Sequence, residues 1–298
     1  MSSPIDPVLS LLDLEDLEVN LFRGHSPQED RQRVFGGQVL AQALVASGRT
    51  VSEDRSVHSL HAYFLRPGDP TVPIVYRVDR TREGRSFTTR RVTAIQQGMA
   101  IFHLESSFQR SERGLDHQDT MPSAPDPETL PTWREFMRPR LEASRKVRPN
   151  AEFHDWLGAP RPIDLRYVTN FDPFAPAKMA PRLLVWLRAD GEVPGPPLQH
   201  QSVLAYASDL TLLDTALLPH GVAWDEDEYQ LASLDHAMWF HRPFRADQWL
   251  LYVHESPVAA GARGISIGKL FTRDGQLVAT AVQEGLIRPL DGTGHARG

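Results

Sequence analysis

A chain of 298 residues with 41% apolar content can form one large domain or two ordinary ones, with enough nonpolar side chains for a real core. Cysteine is absent, which excludes disulfides, thiolate metal sites and a cysteine nucleophile. A net charge of −6 argues against a nucleic-acid partner, and no apolar run is long enough to span a membrane, so a cytoplasmic protein is expected.

In chain order, LEVNLF (17–22) alternates as a strand, and Phe35-Gly36-Gly37-Gln38 opens an apolar stretch of helical length containing QVLAQAL (38–44). SLHAYFLRP (59–67) alternates as a strand ending in Arg-Pro. A glycine turn in QQGMAIFHLESSF (96–108) opens another. Residues 116–165 hold eight of the 24 prolines, the composition of an irregular connection, with one short helix over TWREFMRPRLEAS.

The pattern then repeats. IDLRYV (163–168) matches the first strand, and SVLAYAS (202–208) shares V-L-A-x-A with QVLAQAL and continues as a buried helix through residue 217. LDHAMWFHRP (234–243) matches the Arg-Pro strand, and RDGQLVATAVQEGL (273–286) matches the glycine-opened one. A long apolar helix followed by several antiparallel strands is satisfied when the sheet wraps the helix, and two such units can bury their remaining faces together. The fold expected is α+β, a double hotdog, with an N-terminal unit over 11–115, a Pro-rich linker over 116–160 and a C-terminal unit over 161–290.

Five segments carry a likeness: VFGGQVLAQAL, SLHAYFLRPG, LAYASDLTLL, SLDHAMWFHRP and TAVQEGLIR. In this order, from about Leu11 to Arg288, they resemble the acyl-CoA thioesterase II family, the bacterial TesB-type enzymes and their peroxisomal relatives. The resemblance implies a double hotdog that hydrolyses acyl-CoA to free acid and coenzyme A with no metal or cofactor. It also implies catalysis by an Asp on the second-half helix, a Ser or Thr on the following strand and a Gln on the last strand. These fall on Asp209, Ser233 and Gln283. A homodimer or higher homo-oligomer, a hydrophobic acyl tunnel and a phosphate-binding surface are the corresponding expectations.

The residues themselves allow that chemistry. Asp209 sits in an apolar surround that raises a carboxylate pKa toward the working range, and Ser233 and Gln283 each donate and accept, enough to orient a water. Direct attack by Asp209 to give a mixed anhydride is the other open role. The backbone N–H of Gly37 or Gln38, at a helix start, is a candidate donor to the thioester oxygen. The alternative is that Gly36-Gly37 only lets the helix pack closely. Aligned through the repeat, Asp209 meets Val45, Ser233 falls near His58 and Gln283 near Ser106, so only the second half carries the acid.

Other signals receive plainer readings. Gly264-Ile-Ser266-Ile-Gly268 matches a nucleophile-elbow pattern but lies between alternating strands, where no strand-turn-helix can form. Asp214 is placed on the same helix as Asp209, in solvent contact. His58, His61, His236 and His241 lack zinc-site spacing and serve as structural hydrogen-bonding groups. Pro219-His220-Gly221 closes the helix ahead of a solvated loop at Asp225–Glu228. The alternatives to a thioesterase are an enoyl-CoA hydratase of the same fold, which needs an Asp/His pair not found here, and a non-catalytic acyl-CoA binding protein.

Overall fold

The computed structural model describes residues 3–27, 33–147, 161–224 and 228–290. After α1 (Asp6–Leu12), the chain forms the hairpin β1 (Glu15–Glu18) and β2 (Leu21–Gly24), then α2 (Gly36–Gly48). The meander β3 (Arg55–Phe64), β4 (Ile74–Glu83), β5 (Phe87–Gln96) and β6 (Met99–Arg110) follows. The second half contains α3 (Trp133–Val147), β7 (Ile163–Tyr167), β8 (Arg182–Ala189) and α4 (Pro197–Ser208). Two 3-10 turns, Leu213–Ala216 and Leu218–His220, lead to β9 (Tyr229–Ser233), β10 (Asp235–Phe240), β11 (Leu250–Ala260), β12 (Arg263–Thr272) and β13 (Leu277–Pro289).

The strands make one antiparallel sheet in the order β1-β2-β4-β5-β6-β3-β10-β13-β12-β11-β8-β7, with β9 also pairing β13. The halves join at β3–β10, where Leu60 faces Met238 and Tyr63 faces Asp235. The sheet curls around α2 and α4, two tandem sheet-wrapped helices, which is the double hotdog fold.

Every residue of α2 from Gly37 to Ser47 is buried, as expected of a helix apolar on all sides. Of its two buried glutamines, Gln42 lies deeper and is fully satisfied: Nε2 donates to the Leu11 and His25 carbonyls at 2.8 and 3.1 Å, and Oε1 accepts from the Tyr76 hydroxyl at 2.7 Å. The two helices run antiparallel. A Cβ on Gly37 would lie 2.6 Å from the Tyr206 carbonyl, and at the opposite end one on Gly48 would meet the Leu198 side chain. These glycines therefore set how closely α2 and α4 approach.

Residues 121–130 of the Pro-rich connection pack on the second half of the sheet. Met121, Ala124 and Leu130 pack on a cluster of Trp186, Trp249, Leu251, Val253 and Phe271, and Trp186 Nε1 donates to the Pro125 carbonyl at 2.9 Å.

Two expectations are corrected. LEVNLF is not one strand: Asn20, with φ of +61°, turns the chain between β1 and β2. Asparagine tolerates this left-handed conformation, so the apolar alternation runs through a turn. The helix expected to reach residue 217 ends at Ser208. Beyond it the backbone tightens into 3-10 turns, and Gly221, left-handed at φ of 62°, closes the second. In the loop expected after it, residues 225–227 lie outside the described residues.

Candidate active site

Asp209 is the C-cap of α4, not a mid-helix residue, and its side chain is only 4% exposed. It faces the first turn of α2, so the carboxylate lies between the negative end of one helix and the positive end of the other. Gly36 makes this approach possible: a Cβ there would stand 2.8 Å from Asp209 Oδ2 and 3.0 Å from the Phe64 ring.

Strand pairing brings up the other two groups. β9 aligns Ser233 opposite Gly285 on β13, two residues from Gln283, so both side chains reach the end of α4. Gln283 Nε2 donates to Asp209 Oδ1 at 2.5 Å and to Ser233 Oγ at 2.9 Å, and Ser233 Oγ lies 3.4 Å from the same carboxylate oxygen. Oδ1 is thus surrounded by donors, while Oδ2 faces Gly36 and the start of α2.

Burial is the largest influence on Asp209 and pushes its carboxyl up to about 6, against the opposing pull of Gln283, the Gly37 backbone N–H and Ser233. Two titratable side chains adjoin it. His236 is buried, which drives its imidazole down to about 3; its Nε2 is 2.9 Å from Ser208 Oγ and its Nδ1 3.9 Å from Asp209 Oδ1. The Tyr252 hydroxyl donates to the Ser208 carbonyl at 3.3 Å, and burial raises it well above its ordinary value. Both are therefore neutral around pH 7, and no arginine pairs with Asp209 among the described residues.

No motif or spacing marks Tyr252 in the sequence. Its signal lies in the sheet: Gly268 on β12 leaves the space its ring fills, since a Cβ there would be 2.2 Å from the ring. The proposed backbone donors differ from each other. The Gly37 N–H lies against the Asp209 carboxylate, whereas the Gln38 N–H is taken up by the Phe35 carbonyl at 3.2 Å. The Gln38 side chain points away to the His25 carbonyl and Ser26.

In the first half, Val45 stands at the position matching the acid and is buried, and Ser106 shares a 2.5 Å hydrogen bond with Ser47. His58 and His241 bond Ser107 and Thr280, and the His61 ring packs edge-on against Trp239. Among the described residues no three His, Asp or Glu side chains form a group able to hold a metal. Ser266 lies within β12 with no elbow around it.

Asp214 departs from expectation. It lies in the first 3-10 turn, its Oδ2 is buried without a partner, and burial pushes it up to about 8. Ending α4 at Ser208 folds this segment back over β11 and β12, which removes the carboxyl from solvent.

Residues 160–286 match a family model described as acyl-CoA thioesterase, and residues 25–109 match one described as acyl-CoA thioesterase N-terminal domain. The chain is 43% identical over 289 residues to acyl-coenzyme A thioesterase 8 of Homo sapiens, covering 94% of this chain and 88% of that protein. It is 41% identical over 288 residues to acyl-CoA thioesterase 2 of Haemophilus influenzae, covering 97% and 99%. It also resembles the crystal structure of an acyl-CoA thioesterase II from Mycobacterium marinum, with a TM-score of 0.77 and 43% identity over 96% of this chain and 98% of that one.

Proposed function

The chain belongs to the acyl-CoA thioesterase family, and from that membership we propose that its hydrolysis of acyl-CoA is carried out at Asp209, Ser233 and Gln283. The observation that supports this reading most is the convergence of the three side chains, from one helix end and two strands, on a single carboxylate oxygen.

With Oδ1 held by Gln283 and Ser233, Oδ2 is the base. It accepts a proton from a water in the space beside Gly36, and the water oxygen attacks the thioester carbon. A buried acid near 6 suits this role, because at pH 7 it is ionised yet more basic than an exposed aspartate. As Oδ2 takes the proton it loosens its hold on the Gly37 N–H, and that donor, at the positive end of α2, turns to the carbonyl oxygen as negative charge grows there. Collapse of the tetrahedral species expels the coenzyme A thiolate, which takes up a proton to give the thiol, and leaves the free acid. The first half contributes the helix start and the second the acid, so neither unit alone holds the whole site.

The unit limits 11–115 and 161–290 joined by 116–160, a homo-oligomeric state and a cytoplasmic location are part of the same proposal. No helix among the described residues is long and apolar enough to cross a membrane.

The test is release of free thiol from a panel of acyl-CoAs by wild type and Asp209→Asn. Thiol release by wild type that the variant loses supports the assignment; an active Asn variant sinks it. A hydratase or a binding protein releases no thiol.

A further inference from the structure

The segment Gly264-Ile-Ser266-Ile-Gly268 forms no nucleophile elbow, yet its three small residues all face the helices. A Cβ at Gly264 would lie 2.7 Å from Ala216 Cβ, and one at Gly268 would enter the Tyr252 ring. The glycines admit the 3-10 turn and Tyr252 on either side, and Ser266 is left between them, opposite Gln283 in the β12–β13 register.

Several fully buried polar atoms around this point lack partners: Ser266 Oγ, Gln283 Oε1, and both ring nitrogens of His254. His254 pairs with Gly268 across β11–β12, which puts it on the same face, one diagonal step from Ser266. Cross-strand partners have Cβ atoms about 5 Å apart and diagonal neighbours about 7–8 Å, a separation bridged by one water between hydroxyl, amide and imidazole. Buried groups of this kind are bonded in folded proteins, because each left unbonded is costly.

We propose that Ser266 is a positioning residue for Gln283: with His254 it holds buried water that bridges to Gln283 Oε1 and fixes which end of the amide faces Asp209. This deepens the reading of Asp209, Ser233 and Gln283 as the catalytic groups and rests on it. An amide turned over would present Oε1 to the carboxylate and leave Ser233 without its donor. The risk is greatest just after Asp209 accepts a proton, because a protonated carboxyl is itself a donor and invites the oxygen. A donor held on Oε1 from behind keeps Nε2 forward through the cycle.

The test is steady-state kinetics on Ser266→Ala and Ser266→Thr across pH, with a melting curve for each. Losing one oriented hydrogen bond in Ser266→Ala lowers kcat about five- to tenfold with KM little changed. It also moves the acid limb of the kcat/KM profile to higher pH, because Nε2 donation is one of the influences holding Asp209 down. The other titratable groups facing Asp209, His236 of β10 and Tyr252 of β11, stay neutral over that limb. Ser266→Thr, which keeps the hydroxyl, returns the limb toward wild type.

A kcat within twofold of wild type, or a fall in kcat with lower melting temperature and an unmoved limb, overturns the proposal. Should the variants fold poorly, a wild-type crystal structure at about 1.2 Å decides. Density bridging Gln283 Oε1 to Ser266 or His254 supports it, and an unbonded Oε1 overturns it. If instead Asp209→Asn remains active, the catalytic assignment fails while this density test still stands.

Discussion

Replacing Asp209 with Asn tests activity and stability in opposite directions. Burial raises this carboxyl from 3.8 to about 6, so the folded protein favours its neutral form. For an acid whose pKa rises on folding, the native state binds the extra proton. Stability is therefore greatest below the unfolded value and is lost as pH climbs through about 6. A shift of about two units corresponds to roughly 3 kcal/mol in full, and because the unfolded carboxyl is already partly ionised at pH 4, wild type should lose about 2.4 kcal/mol relative to Asp209→Asn between pH 4 and pH 7. Urea denaturation of both proteins at the two pH values measures it, and the subtraction removes every other titrating group.

The same ionisation governs rate. Wild-type kcat/KM should fall tenfold per unit below about pH 6, to about a tenth of its plateau at pH 5, and the Asn variant should lose about 10²- to 10⁴-fold at pH 8. Equal stability profiles in the two proteins would refute the claim that Asp209 is held ionised at a cost. So would a variant retaining more than a tenth of the wild-type rate.

Gly36→Ala places a methyl where Oδ2 needs space, so kcat should fall at least tenfold with a small change in melting temperature; wild-type turnover would show that the carboxylate can move aside freely. Gln42→Leu leaves Tyr76 and two carbonyls unbonded in the core, and chemical denaturation should show a loss of about 2–4 kcal/mol with kcat retained in the folded fraction. Asp214→Asn should gain melting temperature relative to wild type as pH rises from about 4 to about 8, because over that range the unfolded carboxyl is ionised while burial keeps the native one protonated, and the gain should level off above pH 8.

Much of this architecture was legible because repeats preserve pattern. The all-apolar α2, the Arg-Pro strands and the Asp274-Gly275 turn each have a local signature, and the order of elements is the same twice. Asp209 stood out as a polar residue among apolar ones. The signal failed where tertiary contacts decide. Nothing local distinguishes an α-helix that continues past Ser208 from one that tightens into 3-10 turns, so the local pattern points Asp214 to solvent when it is covered. Asn20 reverses the chain inside a run that alternates well enough for a single strand. Tyr252 and His254 are remote in sequence from Asp209, and only the pairing of β11 with β12 puts them behind it.

The antiparallel packing of α2 on α4 gives the molecule two pseudo-equivalent helix-end junctions, and they differ in composition. One has Gly37 and Asp209; the other has Gly48 closed by Leu198, with Val45 where an acid would stand. Covalent fusion fixes the stoichiometry of the two copies at one to one, so one junction could be given over to packing without any chain losing its complement. Active-site titration should accordingly count one centre per 33.5 kDa polypeptide.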